Sequence, residues 1–432
     1  MVPEVLLRVG RAIAHVAGRG KSHAPRILVG KDTRLSGYMI ETALASGICA
    51  MGGRVILCGP VPTPAVAHLT VDMRADAGIV ISASHNPYDD NGVKVFGSDG
   101  FKLADDVEEE IEKLARDDGL SPTGPGIGRA EKQEDARGRY VVFAKRTFPQ
   151  DLTLDGMRIV VDAAHGAAYR VAPMVLAELG ANVTAIGVKP NGTNINKDCG
   201  AMHPDHVRAE VVRRGAQMGI ALDGDADRVI LVDEKGQIVD GDAVMSMCAA
   251  RMIEVGTLKK RTVVATVMSN LGLERALEAL GAELVRTQVG DRYVVEAMRK
   301  GGFNLGGEQS GHLVFLDHAS TGDGTVAALQ VLAVMLRSGR PLSELAARAL
   351  DRVPQVLHNV TLPARKPLDE MRSLAALQTK VARTLGKTGR VLVRWSGTEP
   401  KLRIMLEGPH EKKLRAFASD LESAARSDLR DA

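Results

Sequence analysis

Three carboxylates stand at alternate positions in one short turn, Asp223-Gly-Asp-Ala-Asp-Arg228, between the apolar runs Met218-Gly-Ile-Ala-Leu222 and Val229-Ile-Leu-Val232. Side chains at that spacing in a glycine-containing turn can converge, and converged carboxylates repel one another unless a hard cation neutralises them. Asp223, Asp225 and Asp227 therefore read as ligands of a divalent metal. An EF-hand calcium loop is the rival, because Glu234 falls at its twelfth position counted from Asp223. It fails because Arg228 stands at the sixth position, where that loop needs glycine, and because both flanks read as strands rather than helices. A solvated acidic turn is the remaining alternative, and it fits poorly between two buried strands. Magnesium suits the pattern best, since it binds through a few carboxylates together with substrate phosphate.

A second loop follows the apolar run Ala77-Gly-Ile-Val-Ile81 and reads Ser82-Ala-Ser-His-Asn-Pro87, with Lys94 a few residues on. A serine lifted out at a strand end, beside His85 and ahead of a chain-turning proline, is placed like a nucleophile or a phosphoryl carrier. A polar turn is the alternative, because adjacent side chains need not face each other. No GxSxG elbow surrounds Ser84, which argues against a serine hydrolase.

The third loop, Gly306-Gly-Glu-Gln-Ser-Gly-His312, crowds a carboxylate, an amide, a hydroxyl and an imidazole between glycines, a set suited to sugar hydroxyls. Gly290-Asp-Arg-Tyr293 and Thr321-Gly-Asp-Gly324 are further polar glycine turns, and taken singly all three read equally well as incidental turns. The fourth loop is Arg394-Trp-Ser-Gly-Thr-Glu-Pro400, with Arg403 opposite on the next strand. Arginine forks, two hydroxyls and glycine-freed N–H groups make a phosphate cradle that lacks a catalytic acid or base. The absence of GxxxxGK[ST] removes the main support for an ATPase, and Trp395 reads as a packing residue.

The elements that must carry these loops repeat along the chain. A short apolar strand, a polar loop, an amphipathic helix, a glycine and another strand occur from Arg26 to Gly59, from Arg158 to Gly187 and from Thr262 to Arg286. Val/Ile runs without alternation suit strands buried on both faces, so three related α/β domains are expected. After about Val353 the segments alternate, as in Arg390-Val-Leu-Val-Arg394, which predicts a smaller C-terminal α+β domain. The expected division is residues 1–136 with the serine loop, 137–240 with the metal loop, 241–352 with the sugar loop and 353–432 with the phosphate loop. Asp105 to Asp118 reads as a solvated helix, and Ser121 to Gly128 as a loop before the second domain.

Length and composition agree with this plan. A chain of 432 residues exceeds one comfortable core, and 45% hydrophobic with 25% charged residues is ordinary for a soluble globular protein. No apolar run reaches the roughly 20 residues of a membrane span. Met1-Val-Pro-Glu opens no secretory leader, so a cytoplasmic location is expected. The four cysteines form no CxxC pair and read as inert thiols. Basic and acidic residues nearly balance, 56 against 53, without a basic block, and aromatics are only 3%, which argues against nucleic-acid binding. Forty-five glycines favour loops holding a small anionic ligand.

In this order the four loops, with Val29-Gly-Lys-Asp-Thr-Arg-Leu-Ser-Gly37 and Pro60-Val-Pro-Thr-Pro-Ala65, resemble the α-D-phosphohexomutase superfamily over nearly the whole chain. Gln309 in the sugar loop, together with the Ile81 to Gly92 serine loop, is similar to the glucosamine branch, whereas phosphomannomutases more often carry methionine at that place. The resemblance implies a mixed-sheet α/β fold of three related domains plus the α+β domain around a central cleft. It implies Ser84 as a phosphoserine whose phosphate oxygen joins Asp223, Asp225 and Asp227 on one Mg2+ per chain. By the same matching, Arg34 and Lys94 line the transfer site, Arg228 assists there, and Glu308, Ser310 and His312 hold the sugar. Arg394, Ser396, Gly397, Thr398 and Arg403 grip the non-reacting phosphate.

The activity so implied converts glucosamine 6-phosphate to its 1-phosphate through a sugar 1,6-bisphosphate, which also serves as activator of the phosphoserine. Its product feeds amino-sugar nucleotide and cell-wall precursor synthesis. Lys94 and His312 are both candidates for moving the hydroxyl proton. A hinge near Val353 would close the phosphate cradle over the sugar and exclude water. The partner implied is a small sugar phosphate, with no membrane or nucleic acid, and a homodimer is compatible with it. Family members usually begin with a strand and an FGTDGxRG-like loop ahead of the helix read here over roughly Val5 to Ala17, and this sequence opens on the helix. Two alternatives follow: a phosphomannomutase/phosphoglucomutase of relaxed sugar choice, and a catalytically impaired phosphosugar-binding protein.

Overall fold

The computed structural model describes residues 1–117, 119–120, 126–396 and 401–430. Two compact units emerge, Met1–Met268 with Ala282–Ala349, and Ser269–Gly281 with Leu350–Ala432.

The first unit contains three sheets. Sheet one is built from β1 (Arg26–Lys31), β2 (Arg54–Pro60), β3 (Ala77–Ile81), β4 (Val93–Gly97) and β5 (Ala130–Lys132), in the order β4-β3-β1-β2-β5. Sheet two holds β6 (Arg158–Asp162), β7 (Asn182–Ile186), β8 (Met218–Leu222), β9 (Val229–Asp233) and β10 (Ile238–Val239), in the order β10-β9-β8-β6-β7. Sheet three holds β11 (Thr262–Thr266), β12 (Glu283–Thr287), β13 (Leu305–Gly307) and β14 (Leu313–Phe315), in the order β12-β11-β13-β14. Each sheet repeats one design, in which three adjacent parallel strands are flanked by an antiparallel partner, β4 on β3, β9 on β8, β14 on β13; sheet one adds β5 parallel to β2, and sheet two adds β10 antiparallel to β9. The sheets are therefore mixed, as expected. Strands β3, β8, β9 and β11 are buried along their whole length, which explains their unbroken apolar sequences.

The second unit contains β15 (Gln355–Thr361), β16 (Arg390–Trp395) and β17 (Lys401–Glu407), an antiparallel sheet in the order β15-β17-β16. The helices Arg372–Leu385 and Glu411–Arg430 contribute Leu374, Val381, Leu414 and Leu421 to its core. Trp395 packs against that core and donates its indole N–H to the Lys366 carbonyl at 2.8 Å, the packing role expected.

One helix departs from the sequence reading. Leu271–Ala279 connects β11 to β12 as the third repeat requires, yet it belongs to the second unit. The cause is a buried polar knot: Asn270 donates to the Val353 carbonyl at 3.0 Å and accepts from the Val353 N–H at 3.0 Å, and fully buried Glu407 accepts from Asn270 and the Leu271 N–H. Val353, the expected hinge position, is thus anchored inside this unit. The helix Asp105–Asp117 forms as predicted, while Asp118 and residues 121–125 of the expected linker lie outside the described residues.

In the first unit the buried helix Gly324–Ser338 begins at Asp323, whose carboxylate accepts from the Val326 N–H at 3.0 Å and caps it. The Tyr140 hydroxyl lies 3.0 and 3.1 Å from the two oxygens of the same carboxylate. Burial pushes Asp323 up to about 6. Its folded-state value exceeds the roughly 3.9 of an unfolded aspartate, so the native protein holds a proton that the unfolded chain has released between those values. This group's contribution is full below about pH 4 and is lost as pH rises through about 6, a change of up to about 3 kcal/mol. Asp323→Asn, which keeps the cap, is expected to flatten that part of the stability profile in urea unfolding across pH 4–7; an unchanged difference between the two proteins would refute it.

Candidate active site

Three functional loops occupy equivalent places, each joining the last parallel strand to its antiparallel partner: the serine loop between β3 and β4, the aspartate loop between β8 and β9, the sugar loop between β13 and β14. The fourth joins β16 to β17.

Asp223, Asp225 and Asp227 are buried and each presents an oxygen within 4.8 Å of the others. Glycine between the first two is a steric necessity, since a Cβ on Gly224 would fall 2.6 Å from the Ser84 carbonyl oxygen. Burial and the two neighbouring carboxylates push Asp223 well above the usual carboxylate range. Burial acts the same way on Asp225, but Lys94 and Thr63 hold it below that range. Lys94 Nζ lies 2.8 Å from Asp225 Oδ2 and 3.2 Å from Asp227 Oδ2. Burial opposes its charge, yet Asp225 and Asp227 prevail and keep the ammonium protonated. Even so, Asp225 Oδ1 and Asp227 Oδ1 are buried without a hydrogen-bond partner among the described residues. Hard oxygen donors, clustered and incompletely satisfied, fit a divalent cation such as magnesium.

Ser84 reaches this cluster from the first domain, donating from Oγ to Asp223 Oδ2 at 2.6 Å. Its backbone is left-handed, φ 51°, an uncommon state for serine that the surroundings must hold. Ser84 N–H donates to Ser82 Oγ at 2.9 Å, and Ser82 donates to Asp32 Oδ2 at 2.6 Å. The Ser84 carbonyl accepts from Arg34 at 2.9 Å and from Asn196 of the second domain at 2.8 Å. His85 Nδ1 stands 3.4 Å from Ser84 Oγ, so these adjacent side chains do approach, and burial followed by nearby Arg228 lowers the imidazole pKa.

Arg34, expected to line the transfer site, lies against the backbone of Ser84. It is fully buried beneath the serine loop, with Nε 2.9 Å from Asp32 Oδ2 and its terminal nitrogens on the carbonyls of Ser84, Asn86 and Pro87. These contacts brace the loop. Thr63, from the Pro60–Ala65 segment, donates to Asp225 Oδ2 at 2.6 Å, and its N–H donates to the Asp225 carbonyl at 2.9 Å.

Arg228 joins the aspartate and sugar loops. Its N–H donates to Asp223 Oδ1 at 3.1 Å, its backbone bridges that of His312, and its Nε is buried 3.9 Å from Asp227 Oδ1. Glu308 accepts from the Gly290 N–H at 3.1 Å and from Ser310 Oγ at 3.2 Å. His312 is 1% exposed. In the second unit Arg394 lies directly opposite Arg403, and burial followed by that like charge lowers its pKa. Ser396 is buried, with Oγ 3.4 Å from Arg403. Gly397 and Thr398 lie outside the described residues.

Sequence reading singled out the carboxylates, Ser84 and Lys94, which the structure brings together. It passed over Asn196 and left Thr63 inside a motif without a role; their partners lie more than 100 residues away, and neither has a local signal.

Models of the phosphoglucomutase/phosphomannomutase family match the chain in order: alpha/beta/alpha domains I, II and III at residues 1–120, 139–236 and 240–353, and the C-terminal domain at 357–424. The chain belongs to this family. Curated relatives bearing the name phosphoglucosamine mutase include those of Sorangium cellulosum, 65% identical over 99% of this chain and 90% of the relative, and of Myxococcus xanthus, 57% identical over 99% and 94%. Among solved structures, a phosphoglucomutase/phosphomannomutase family protein from Burkholderia thailandensis superposes with a TM-score of 0.84 at 24% identity, covering 99% of this chain and 94% of that one. An Aspergillus fumigatus N-acetylphosphoglucosamine mutase in complex with GlcNAc-6P and magnesium gives 0.65 at 18%, covering 85% and 92%. These two likenesses concern the fold.

Breaking the Arg34–Asp32 pair isolates a buried carboxylate, so Arg34→Met is expected to lower the unfolding free energy by about 3–5 kcal/mol. Asn196→Ala, which removes one neutral donor, is expected to cost about 1–3 kcal/mol. Urea unfolding checks both, and equal small losses would contradict the assignment of Arg34 as the keystone of the loop.

Proposed function

We propose that the chain is a phosphohexomutase that interconverts glucosamine 6-phosphate and glucosamine 1-phosphate, the reaction of a phosphoglucosamine mutase, in the cytoplasm. The observation that carries this reading is the 2.6 Å contact of Ser84 Oγ with Asp223, which sets a strained, preorganised nucleophile against a carboxylate cluster suited to a cation. Support for the sugar comes from the names of relatives at 54–65% identity. Four domains, residues 1–136, 137–240, 241–352 and 353–432, each supply one loop.

Asp223, Asp225 and Asp227 would hold one Mg2+, with an oxygen of phosphorylated Ser84 beside them. The ion would supply charge stabilisation for the transferring phosphoryl oxygens. Ser84 carries the phosphoryl group. Its Oγ–P bond breaks as a P–O bond forms to the sugar 1-hydroxyl, whose proton passes to His312, giving the 1,6-bisphosphate. After the bisphosphate turns over, the 6-phosphoryl group returns to Ser84 Oγ and a proton returns to O6. A sugar 1,6-bisphosphate would also charge an unphosphorylated Ser84. Lys94, a cation held by Asp225 and Asp227, and Arg228 stabilise the negative oxygens. Arg34 and Asn196 keep the serine loop in register. Glu308, Ser310 and His312 orient the sugar hydroxyls, and Arg394, Ser396, Gly397, Thr398 and Arg403 hold the non-reacting phosphate.

Two measurements test this. With magnesium and a trace of glucosamine 1,6-bisphosphate, glucosamine 6-phosphate is expected to turn over in preference to glucose and mannose 6-phosphates, and Ser84→Ala to lose activity by at least about a thousandfold. Preference for glucose or mannose would sink the sugar assignment, and binding without turnover would favour a phosphosugar-binding protein. Separately, Mg2+ at a hundredfold excess over its Kd is expected to stabilise the protein by about 2.7 kcal/mol, an effect reversed by chelation and absent from the Asp225→Asn, Asp227→Asn double variant.

A further inference from the structure

One carboxylate beside the sugar loop has no part in the reaction above. Asp291 opens the helix Asp291–Gly301, and its Oδ2 lies 3.6 Å from His312 Nε2. From the first domain, Lys102 donates to the same Asp291 oxygen. Burial alone would raise Asp291, but His312, where it is protonated, and Lys102 hold it below the usual carboxylate range, and the Lys102 contact remains when the imidazole is neutral. Across from it, neither ring nitrogen of His312 has a hydrogen-bond partner among the described residues. Immediately before Asp291, the Gly290 N–H donates to Glu308 Oε1 at 3.1 Å, so one short turn reaches two residues of the sugar loop.

A neutral imidazole carries its proton on one nitrogen, and a carboxylate facing one nitrogen favours the proton there. Nε2 faces Asp291, which leaves Nδ1 as the lone-pair acceptor. The alternative tautomer would set a lone pair against an anion in a water-poor site, where electrostatic interactions are strongest.

We propose that Asp291 is a positioning residue, braced by Lys102, which fixes His312 as the Nε2–H tautomer while its own turn fixes Glu308. The consequence for turnover rests on the mutase reading of the site; the tautomer does not. The assignment accounts for the Gly290-Asp-Arg-Tyr293 turn, which binds no metal and carries no nucleophile. It also gives Lys102 a function across two domains, because its ammonium holds Asp291 Oδ2, the oxygen that faces His312, while the Arg292 N–H holds Oδ1 at 2.8 Å.

The test uses the full chain labelled with 15N-histidine, its His312 signals identified by their loss in His312→Gln. Long-range 1H–15N spectra at about pH 8, where an ordinary imidazole is neutral, are expected to show Nε2–H in the wild type and a mixture of tautomers in Asp291→Ala. In turnover, Asp291→Asn is expected to lower kcat about 10–100-fold with little change in KM, the usual cost of losing an orienting partner. Asp291→Glu should recover part of the loss, and Asp291→Asn should cost little more in a His312→Ala background. Nδ1–H in the wild type, a tautomer indifferent to Asp291→Ala, or losses that multiply in the double variant would each overturn the proposal. A wild type that turns over no sugar phosphate would instead refute the mutase reading, and the spectra would still decide the pairing.

Discussion

Mutual repulsion among three buried aspartates is the constraint around which the neighbouring structure is arranged. Asp223, Asp225 and Asp227 come within a few ångströms of one another in a place that water scarcely reaches, and such a cluster persists only if other groups supply compensating charge and donors. The surroundings supply them from separate parts of the chain: Lys94 from β4, the Ser84 hydroxyl from the loop before it, Thr63 from the start of the helix Thr63–Asp72, the Arg228 N–H from the aspartate loop itself. Compensation is incomplete, for two carboxylate oxygens keep no partner. Lys94 and the neutral donors offset only part of the cluster's negative charge, and a divalent cation is a group that could offset the rest.

The repeated sheet design brings these contributors together. In each of the first three sheets the functional loop departs from the end of the last parallel strand and returns along an antiparallel neighbour. A hairpin of this kind is anchored at both ends by buried strands, so the loop can carry an unfavourable conformation at its tip. Ser84 and Ala226 both adopt left-handed backbone there, at φ 51° and 59°. A loop anchored on one side only would relax. Duplicating a single strand order thus places Ser84, the three aspartates and the Glu308–His312 loop at equivalent points of three sheets without repeating their side-chain chemistry.

What could be read in the sequence was what depends on neighbours along the chain. Alternating aspartates between apolar runs, and a serine between a strand and a proline, are local patterns, and their physical meaning survives without knowledge of the fold. Arg34 shows the limit. Its motif resembled one near the transfer site, but only the fold shows that Asp32 draws the guanidinium inward, under the loop. Asn196, which shares the task of holding the Ser84 carbonyl, lies 112 residues away in a turn of the second domain and has no sequence signature. The helix Leu271–Ala279 was legible as a helix and not as a member of the C-terminal unit, because Glu407, which binds its first turn, lies far along the chain.

The C-terminal unit follows the same electrostatic logic with the sign reversed. Arg394 and Arg403 face each other across neighbouring strands, an arrangement that costs stability when nothing lies between like charges. Arg394 Nε is buried without a hydrogen-bond partner among the described residues, and the pKa of Arg394 falls under burial and the neighbouring cation. Strands under selection for stability alone would pair such positions with opposite charges. Two arginines paired across strands beside the buried Ser396 hydroxyl instead leave like charges facing each other, with Arg403 open to solvent, and a bound anion would reduce that repulsion.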